Sequence, residues 1–463
     1  MFQPYQVVQA YDRALIKEMS ADDAAGLETK LEAAFRLRKD HDGALKPHQR
    51  SAILIRAAVL LGERLDAFAR LIAKEGGKPL TDARIEAVRA VDGLCNAGEE
   101  IRNFAGREIP DGAHAGERWT LGFHHPGADR RRRRDLRFQP SAQPDCPSGR
   151  AGHRSWVSRD RQAGCADAAV LPGAGRPAEG GRSPRAVAPT LVTEDNALSE
   201  RLATDPRVAF FSFIGSARVG WHLRSKLAPG MRCALEHGGA APVVIDRSAK
   251  LDRIIEPIVK GGYHHAGQVC VSTQRIFVHS DTKAQFVERL AARVRALRVG
   301  NPLLADTEVG PLILPREATR VSRWIEEAVS GGAQLIGGGR LSDTALMPAI
   351  LVEPAADAKV SQLEIFGSMT SVHGFETLDD AIAIANSLPF AFQASVFSTD
   401  IGPALRVAKR LDASAVMIND HTAFRTDWMP FAGRRQSGHG VGGIRPTMDE
   451  MSEEKMLVFR HAD

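Results

Sequence analysis

Five short constellations in this chain of 463 residues carry side chains that could do chemistry. The first is Gly267-Gln268-Val269-Cys270-Val271-Ser272. A thiolate in such a loop is a nucleophile toward an electrophilic carbon. A free cysteine between valines is equally at home as a small buried hydrophobe. The second is Leu235-Glu236-His237-Gly238-Gly239, in which a carboxylate closes an apolar run ahead of two glycines. Desolvation at a strand end raises a carboxyl pKa and suits it to general-base work. A capping or salt-bridged glutamate is the alternative. The third is the Gly215-Ser216-Ala217-Arg218-Val219-Gly220 turn, between a strand-like and a helix-like stretch. Gly215 lets backbone approach a ligand, and a helix start offers N–H groups and a positive dipole end to a phosphate. It is not a GxGxxG fingerprint, and a Gly-Ser turn is often only a turn. The remaining two, Glu364-Ile365-Phe366-Gly367 and the Gly-rich loop Pro430-Phe431-Ala432-Gly433-Arg434-Arg435-Gln436-Ser437-Gly438, have no meaning in isolation.

The elements that must position these residues are legible from periodicity. Leu27, Leu31 and Phe35, four apart, predict a helix over residues 21–38. Pro47 opens a second, whose face Leu54, Ala58, Leu61, Leu65, Phe68 and Ile72 runs down to Lys74 and stops at Gly76-Gly77. Residues 80–104 predict a third helix, and 109–123 a hairpin through Trp119-Thr120-Leu121. Further on, strands over 207–214, 241–246 and 275–279 alternate with helices over 217–227, 251–264 and 282–297. That alternation predicts an α/β protein with largely parallel sheets.

Composition narrows the class. Hydrophobic residues make up 43% and charged residues 25%, which excludes wholesale disorder, a collagen-like chain and a disulfide miniprotein. The length suggests two or three domains at roughly 100–200 residues each. The five cysteines include no CxxC pair, so neither a structural zinc site nor a disulfide framework is expected, and a reducing compartment fits. The first residues read as no signal peptide. The longest apolar stretch, 52–73, is broken by Arg56, Glu63, Arg64, Asp66 and Arg70 and predicts no membrane span. A cytoplasmic location is expected.

One segment departs from the rest. The formal charge of the chain is +5, yet residues 124–189 alone hold 13 Arg, no Lys and 6 acidic residues, a balance of +7. These 66 residues contain 8 Pro, 8 Gly and 11 Ala but only six of Ile, Leu, Val and Phe, so they cannot bury enough to offset their chain entropy. Three readings compete: a disordered basic insertion, a nucleic-acid-binding arm built on the run Arg130 to Arg134, or a stretch translated out of frame, since shifted GC-rich codons yield Arg, Pro, Gly, Ala and Ser.

Taken together, the five constellations resemble the aldehyde dehydrogenase superfamily in order and distance. Cys270 follows Glu236 by 34 residues and Glu364 follows Cys270 by 94. Leu235-Glu236-His237-Gly238-Gly239-Ala240 is similar to the family's Glu-Leu-Gly-Gly-Lys turn, with His237 for Leu and Ala240 for Lys. Glu364 to Ser368 resembles Glu-Ile-Phe-Gly-Pro, with Ser368 for Pro, and the Gly-rich loop resembles Pro-Phe-Gly-Gly-x-Lys-x-Ser-Gly. The likeness covers about 5–123 and 190–463. It implies a Rossmann-type cofactor domain (1–108 and 124–237), an α/β catalytic domain (238–440), and an oligomerisation hairpin and tail (109–123 and 441–463). It further implies NAD or NADP as cofactor, a small aldehyde as substrate and a homodimer or homotetramer, with the strand-like tail at 454–460 pairing with a neighbouring subunit's sheet. By motif, Cys270 is the nucleophile and Glu236 activates the hydrolytic water. Gly215, Ser216 and Gly220 form the pyrophosphate turn, Glu364 meets a ribose and Phe366 borders the nicotinamide. Arg425 precedes the Gly-rich loop in a region that lines the aldehyde entrance in the family. It could pair with a substrate carboxylate or phosphate, or simply with Asp420 or Asp427 at the surface.

The resemblance also sharpens what is odd about 124–189. In the family this stretch supplies central strands of the cofactor domain, an Asn-Phe-Pro-type motif whose Asn stabilises the oxyanion, and a Lys-Pro motif whose Lys holds the cofactor ribose. The segment has no Asn and no Lys. Its length matches what the family stretch needs, so residues are replaced and not added. That favours an out-of-frame stretch over an insertion, and a nucleic-acid partner is not expected. A chain translated as written is expected to bind cofactor weakly and fold poorly, so a catalytically impaired protein, or a non-catalytic scaffold with the same fold, is the alternative to an active enzyme.

Overall fold

The computed structural model describes residues 5–39, 44–109, 120–125 and 189–460. The Arg130 to Arg134 run and most of the anomalous segment lie outside them. A short hairpin, β1 (Tyr5–Val8) with β2 (Leu15–Met19), opens the chain, followed by α1 (Ala24–Lys39). The long helix expected from Pro47 is two: α2 (Pro47–Gly62) and α3 (Leu65–Gly76). The break falls at Gly62-Glu63-Arg64, where glycine is a poor helix former and Arg64 leaves the helical region (φ −119°, ψ 17°). The bend lets both helices pack on α4 (Leu80–Glu100), Ala58 and Leu61 with Phe68 against Leu94, and Ala69 and Ala73 against Ala83 and Ala87. The apolar stripe continues through a change of helix direction, which periodicity alone does not register. Gly77, at φ 75°, ends α3 in the left-handed conformation that glycine adopts without strain.

The expected hairpin is present as β3 (Arg107–Ile109) antiparallel to β4 (Thr120–His125). After α5 (Asn196–Thr204) come β5 (Phe210–Ile214), α6 (Ala217–Ser225) and β6 (Arg232–Glu236), with β5 and β6 parallel and Ile214 opposite Glu236. Next are β7 (Pro242–Ile245), α7 (Leu251–Tyr263), β8 (Arg275–His279), α8 (Ser280–Arg295), α9 (Pro315–Ser330), β9 (Gln334–Gly337), β10 (Ala349–Val352), the single turn α10 (Lys359–Gln362) and β11 (Met369–Phe375). The chain closes with α11 (Leu378–Ala385), β12 (Phe390–Ala391), β13 (Gln393–Phe397), α12 (Ile401–Arg410), β14 (Ala415–Ile418), β15 (Arg434–Arg435), β16 (Gly438–His439), α13 (Ile444–Glu450) and β17 (Lys455–Arg460).

The main sheet runs β14-β13-β7-β8-β11-β10-β9, parallel throughout except for the antiparallel edge strand β9. Helices cover both faces. One face buries Val243, Ile245, Ile276 and Val278 under α7 and α8, and the other buries Val244, Phe277 and Val396 under α11 and α12. Covering on both sides is why β7 and β8 read as continuous apolar runs. On the other side of the site, β6 joins β5 and the two-residue β16. The tail strand β17 sits at a sheet edge and pairs with β4 of its own chain, Leu457 opposite Phe123.

Candidate active site

The loop that carries Cys270 is folded by backbone conformation. Helix α7 stops at Tyr263, and His265, Ala266 and Gly267 follow with φ of 52°, 55° and 70°. Three successive left-handed residues reverse the chain and deliver Cys270 just before β8 enters the sheet. Gln268, buried, holds that reversal. Its side-chain amide donates to the carbonyls of His265 and Pro311 (both 3.2 Å), and its carbonyl accepts from the Ile313 N–H at 3.0 Å. The far side is pinned by Thr422, whose hydroxyl donates to the Val271 carbonyl at 2.7 Å and contacts the Thr273 hydroxyl at 2.9 Å. Polar residues beside a candidate nucleophile were the available signal for Gln268 and Thr273, while Thr422 lies 152 residues from Cys270 and gave none.

Glu236 reaches the same place from the end of β6. The Cys270 thiol donates to Glu236 Oε1 across 3.4 Å. Cys270 is buried and Glu236 half-buried. The strand end is fixed by β16, since Gly438 pairs with Glu236 and the His237 N–H donates to the Ser437 carbonyl at 2.9 Å. The Ser437 hydroxyl in turn donates to the Gly238 carbonyl at 3.0 Å and accepts from the Ala391 N–H at 3.0 Å. The Gly-rich loop is thus a brace for the carboxylate. Around the thiol, Val269, Val271, Phe392 and Phe431 form an apolar wall, the two rings 4.6 Å apart. Such a wall raises the effective strength of a nearby charge by excluding water.

Glu364 and Phe366 are brought to a narrow cleft that is also lined by Gly239, Val269, Thr273 and Met369. Phe366 has φ 49°, a conformation uncommon for a bulky residue and of the kind that collects at ligand sites. The loop is held there by Gln274, which accepts from the Ile365 N–H (2.9 Å) and donates to the Leu363 carbonyl (2.7 Å), and by Arg320 donating to the Ile365 carbonyl (2.8 Å). Gly215 and Ser216 form the turn from β5 into α6, with Ser216 at the N-cap position, so the first amides of α6 face outward from the end of the sheet. Gly220 lies inside α6 against the buried ring of His237. A helix start with a glycine turn fits the diphosphate of a dinucleotide, and a carboxylate with an aromatic ring at a cleft fits its ribose and nicotinamide end.

Arg425 lies with its guanidinium 3.9 Å over the Phe431 ring, beside the apolar wall of the thiol. Asp427, one of the two acids considered as its partner, is buried and accepts from Arg89 of α4 at 2.8 Å. Among the described residues no cluster of His, Cys, Asp and Glu is arranged to hold a metal ion, and no helix is long and apolar enough to cross a membrane. Cys95 and Cys233 are free thiols, and Cys146 and Cys165 fall outside the described residues.

Comparison with known proteins agrees with this fold. The model described as "Aldehyde dehydrogenase family" matches residues 2–126 and 178–457. The unmatched gap falls inside the anomalous segment and is narrower than the sequence suggested, since the match resumes at 178 and not near 190. A 3-sulfolactaldehyde dehydrogenase of Priestia aryabhattai is 31% identical over 418 residues, which is 89% of this chain and 86% of that protein. An aspartate-semialdehyde dehydrogenase of Pseudomonas canavaninivorans is 31% identical over 430 residues, 90% of this chain and 88% of that protein. Among solved structures, a glyceraldehyde-3-phosphate dehydrogenase of Methanocaldococcus jannaschii complexed with NADP superposes with a TM-score of 0.86 at 26% identity, over 98% of each chain.

Proposed function

The chain belongs to the aldehyde dehydrogenase family, and from that premise we propose that its site oxidises an aldehyde to a carboxylic acid with NAD or NADP as hydride acceptor, Cys270 as nucleophile and Glu236 as base. The observation that carries the reading is the 3.4 Å approach of the Cys270 thiol to Glu236 beside the cleft lined by Glu364 and Phe366. Glu236 first takes the thiol proton. The thiolate then attacks the aldehyde carbon, a C–S bond forms, and the carbonyl electron pair moves to oxygen to give a thiohemiacetal. A bound dinucleotide supplies the acceptor for the hydride that leaves this carbon, and a thioester remains on Cys270. Glu236 gives up that first proton to solvent and then removes a proton from water, the water oxygen attacks the thioester, and the C–S bond breaks to release the acid, the proton held by Glu236 passing to the sulfur to restore the thiol. The apolar wall of Val269, Phe392 and Phe431 limits stray water during the acyl stage. The first amides of α6 would hold the diphosphate, with Glu364 at a ribose and Phe366 beside the nicotinamide.

The substrate we propose carries an anionic group. Arg425 supports this, its guanidinium stacked on Phe431 beside the apolar wall of the thiol. The relatives named for sulfolactaldehyde and aspartate semialdehyde act, by those names, on aldehydes that carry one acidic group. We assign residues 1–108 and 124–237 to the cofactor domain, 238–440 to the catalytic domain, and the β3–β4 hairpin with the tail to a homodimer or homotetramer contact, in the cytoplasm.

A second reading is favoured by the unmatched gap at 127–177: the chain as written is catalytically impaired, and an active form differs from it by two compensating frameshifts. The genetic code supports this. Gln139 is encoded by CAA or CAG and Pro140 begins with C, so reading one base later gives AAC or AGC, Asn or Ser. In the same shifted frame Ser141 before Ala142 permits CCG, proline, which yields an Asn-x-Pro triplet. Gln162 before Ala163 gives AAG or AGG, Lys or Arg, and Ala163 before Gly164 again permits proline, which yields Lys-Pro. One shift therefore accommodates both motifs that the printed segment lacks. The test is peptide mapping of residues 110–200 together with aldehyde-dependent NAD(P)H formation. Printed-frame peptides with robust turnover would overturn the impaired reading. Restored-frame peptides without turnover on any anionic or neutral aldehyde would overturn the enzyme assignment.

A further inference from the structure

The family-like turn after Glu236 carries a histidine where the motif has leucine, and the structure gives that side chain work. His237 is fully buried. Its Nδ1–H donates to the Gly215 carbonyl at 2.9 Å. The Gly215 N–H donates to the Glu236 carbonyl at 3.1 Å. Both polar groups of Gly215 are thereby tied to the dipeptide Glu236-His237, one through backbone and one through the imidazole. The ring is also seated sterically. A Cβ added at Gly220 would fall 2.0 Å from its Cε1 and 2.4 Å from its Nε2, so the absence of a side chain at Gly220 is what admits it. Phe213 and Trp221 close on it with ring centroids 5.9 and 6.0 Å away. Trp221 then reaches the Gly-rich loop by donating to the Gln436 carbonyl at 3.2 Å.

We propose that His237 is a positioning residue that clamps the Gly215 turn to the end of β6, so that the start of α6 and the carboxylate of Glu236 move as one unit. Leucine could fill the volume but could not donate to the Gly215 carbonyl. The carbonyl sits one residue before the helix cap, so its orientation sets where the first amides of α6 point. A dinucleotide diphosphate bound by those amides is thus held in register with Glu236, which rests on the assignment of that turn proposed above.

The experiment is hydrogen exchange by mass spectrometry on the full chain, in wild type, His237→Leu and His237→Asn. Asparagine can offer an amide donor near the position of Nδ1. The expected result is exchange roughly tenfold faster across residues 215–220 in His237→Leu, as loss of one buried hydrogen bond allows, with rates elsewhere little changed and the melting temperature lowered by only a few degrees, and recovery in His237→Asn. Unchanged exchange in His237→Leu, or acceleration spread over the whole molecule, would overturn the clamp. NAD and NADP titrations followed by intrinsic fluorescence are run in parallel. Weakening in His237→Leu with recovery in His237→Asn extends the clamp to cofactor binding. If the exchange result holds but neither dinucleotide binds any variant even in restored-frame protein, the clamp stands and the assignment of the turn to a diphosphate fails.

Discussion

Gly267 and Gly367 approach so closely that a Cβ on Gly267 would lie 2.1 Å from the Gly367 carbonyl oxygen. One glycine begins the loop of the nucleophile and the other ends the loop of Glu364 and Phe366. The contact locks the thiol side of the site to the cleft side. Gly267 also has φ 70°, which disfavours any side chain independently of the clash. We predict that Gly267→Ala lowers stability by roughly 2 kcal/mol or more, since strain at a special φ adds to overpacking. Urea unfolding measures it, and a midpoint equal to wild type would contradict the packing described.

Thiol chemistry tests the site directly. Iodoacetamide should alkylate Cys270, an aldehyde should protect it, and Cys270→Ala should remove the protectable label. In polypeptide with the restored frame, Glu236→Gln should slow steady-state turnover by roughly 10²–10⁴-fold, the usual range for a lost general base, with acyl-enzyme accumulating as a trapped mass increment on Cys270. Unprotected labelling, or a Glu236→Gln enzyme at wild-type rate, counts against the roles given to these two residues.

Lys78 and Glu86 form a buried ion pair, their side chains 2% and 8% exposed at 2.5 Å separation. Removing either partner strands the other charge in the interior. Lys78→Met or Glu86→Leu alone should cost about 3–5 kcal/mol, and the double substitution should recover much of that loss. A double-mutant cycle in urea gives the answer, and additive losses would mean that the pair is not coupled.

Burial makes the fold acid-sensitive through His373. The ring packs on Phe277 and meets the Ser371 hydroxyl at 3.1 Å, and desolvation pushes its pKa from 6.5 down to about 4. Below pH 6.5 the unfolded chain takes up a proton that the folded chain refuses, so stability is full above that pH and falls progressively toward about 4. The loss from this residue is at most ~3 kcal/mol. Fully buried His265 is shifted in the same direction for the same reason and adds to the loss. Melting temperatures between pH 7 and 5 should drop less in His373→Gln than in wild type, and equal slopes would exclude the histidine as the cause.

Arg425 bears on substrate choice. With restored-frame protein, Arg425→Ala should raise KM for a carboxylated or sulfonated aldehyde by roughly tenfold or more, as expected for loss of a charged hydrogen bond, and leave a neutral aliphatic aldehyde unaffected. An equal effect on both would assign the arginine to the Phe431 stack alone.

Much of this was legible in the chain itself. Strands β7 and β8 are interior and covered on both faces, so their apolar runs announce them, and Cys270, Glu236 and Glu364 stand in short motifs whose order survives any folding detail. The anomaly of 124–189 is likewise a property of composition, readable without coordinates. What the linear chain left open was set by long-range contact. The break between α2 and α3 came from packing two helix faces on α4. Asp427 went to Arg89, which stands 338 residues earlier in the chain. His237 looked like a substitution in a motif until the empty flank of Gly220 and the Gly215 carbonyl were beside it. Periodicity encodes which face of an element is buried, but only the folded chain decides which distant group meets that face.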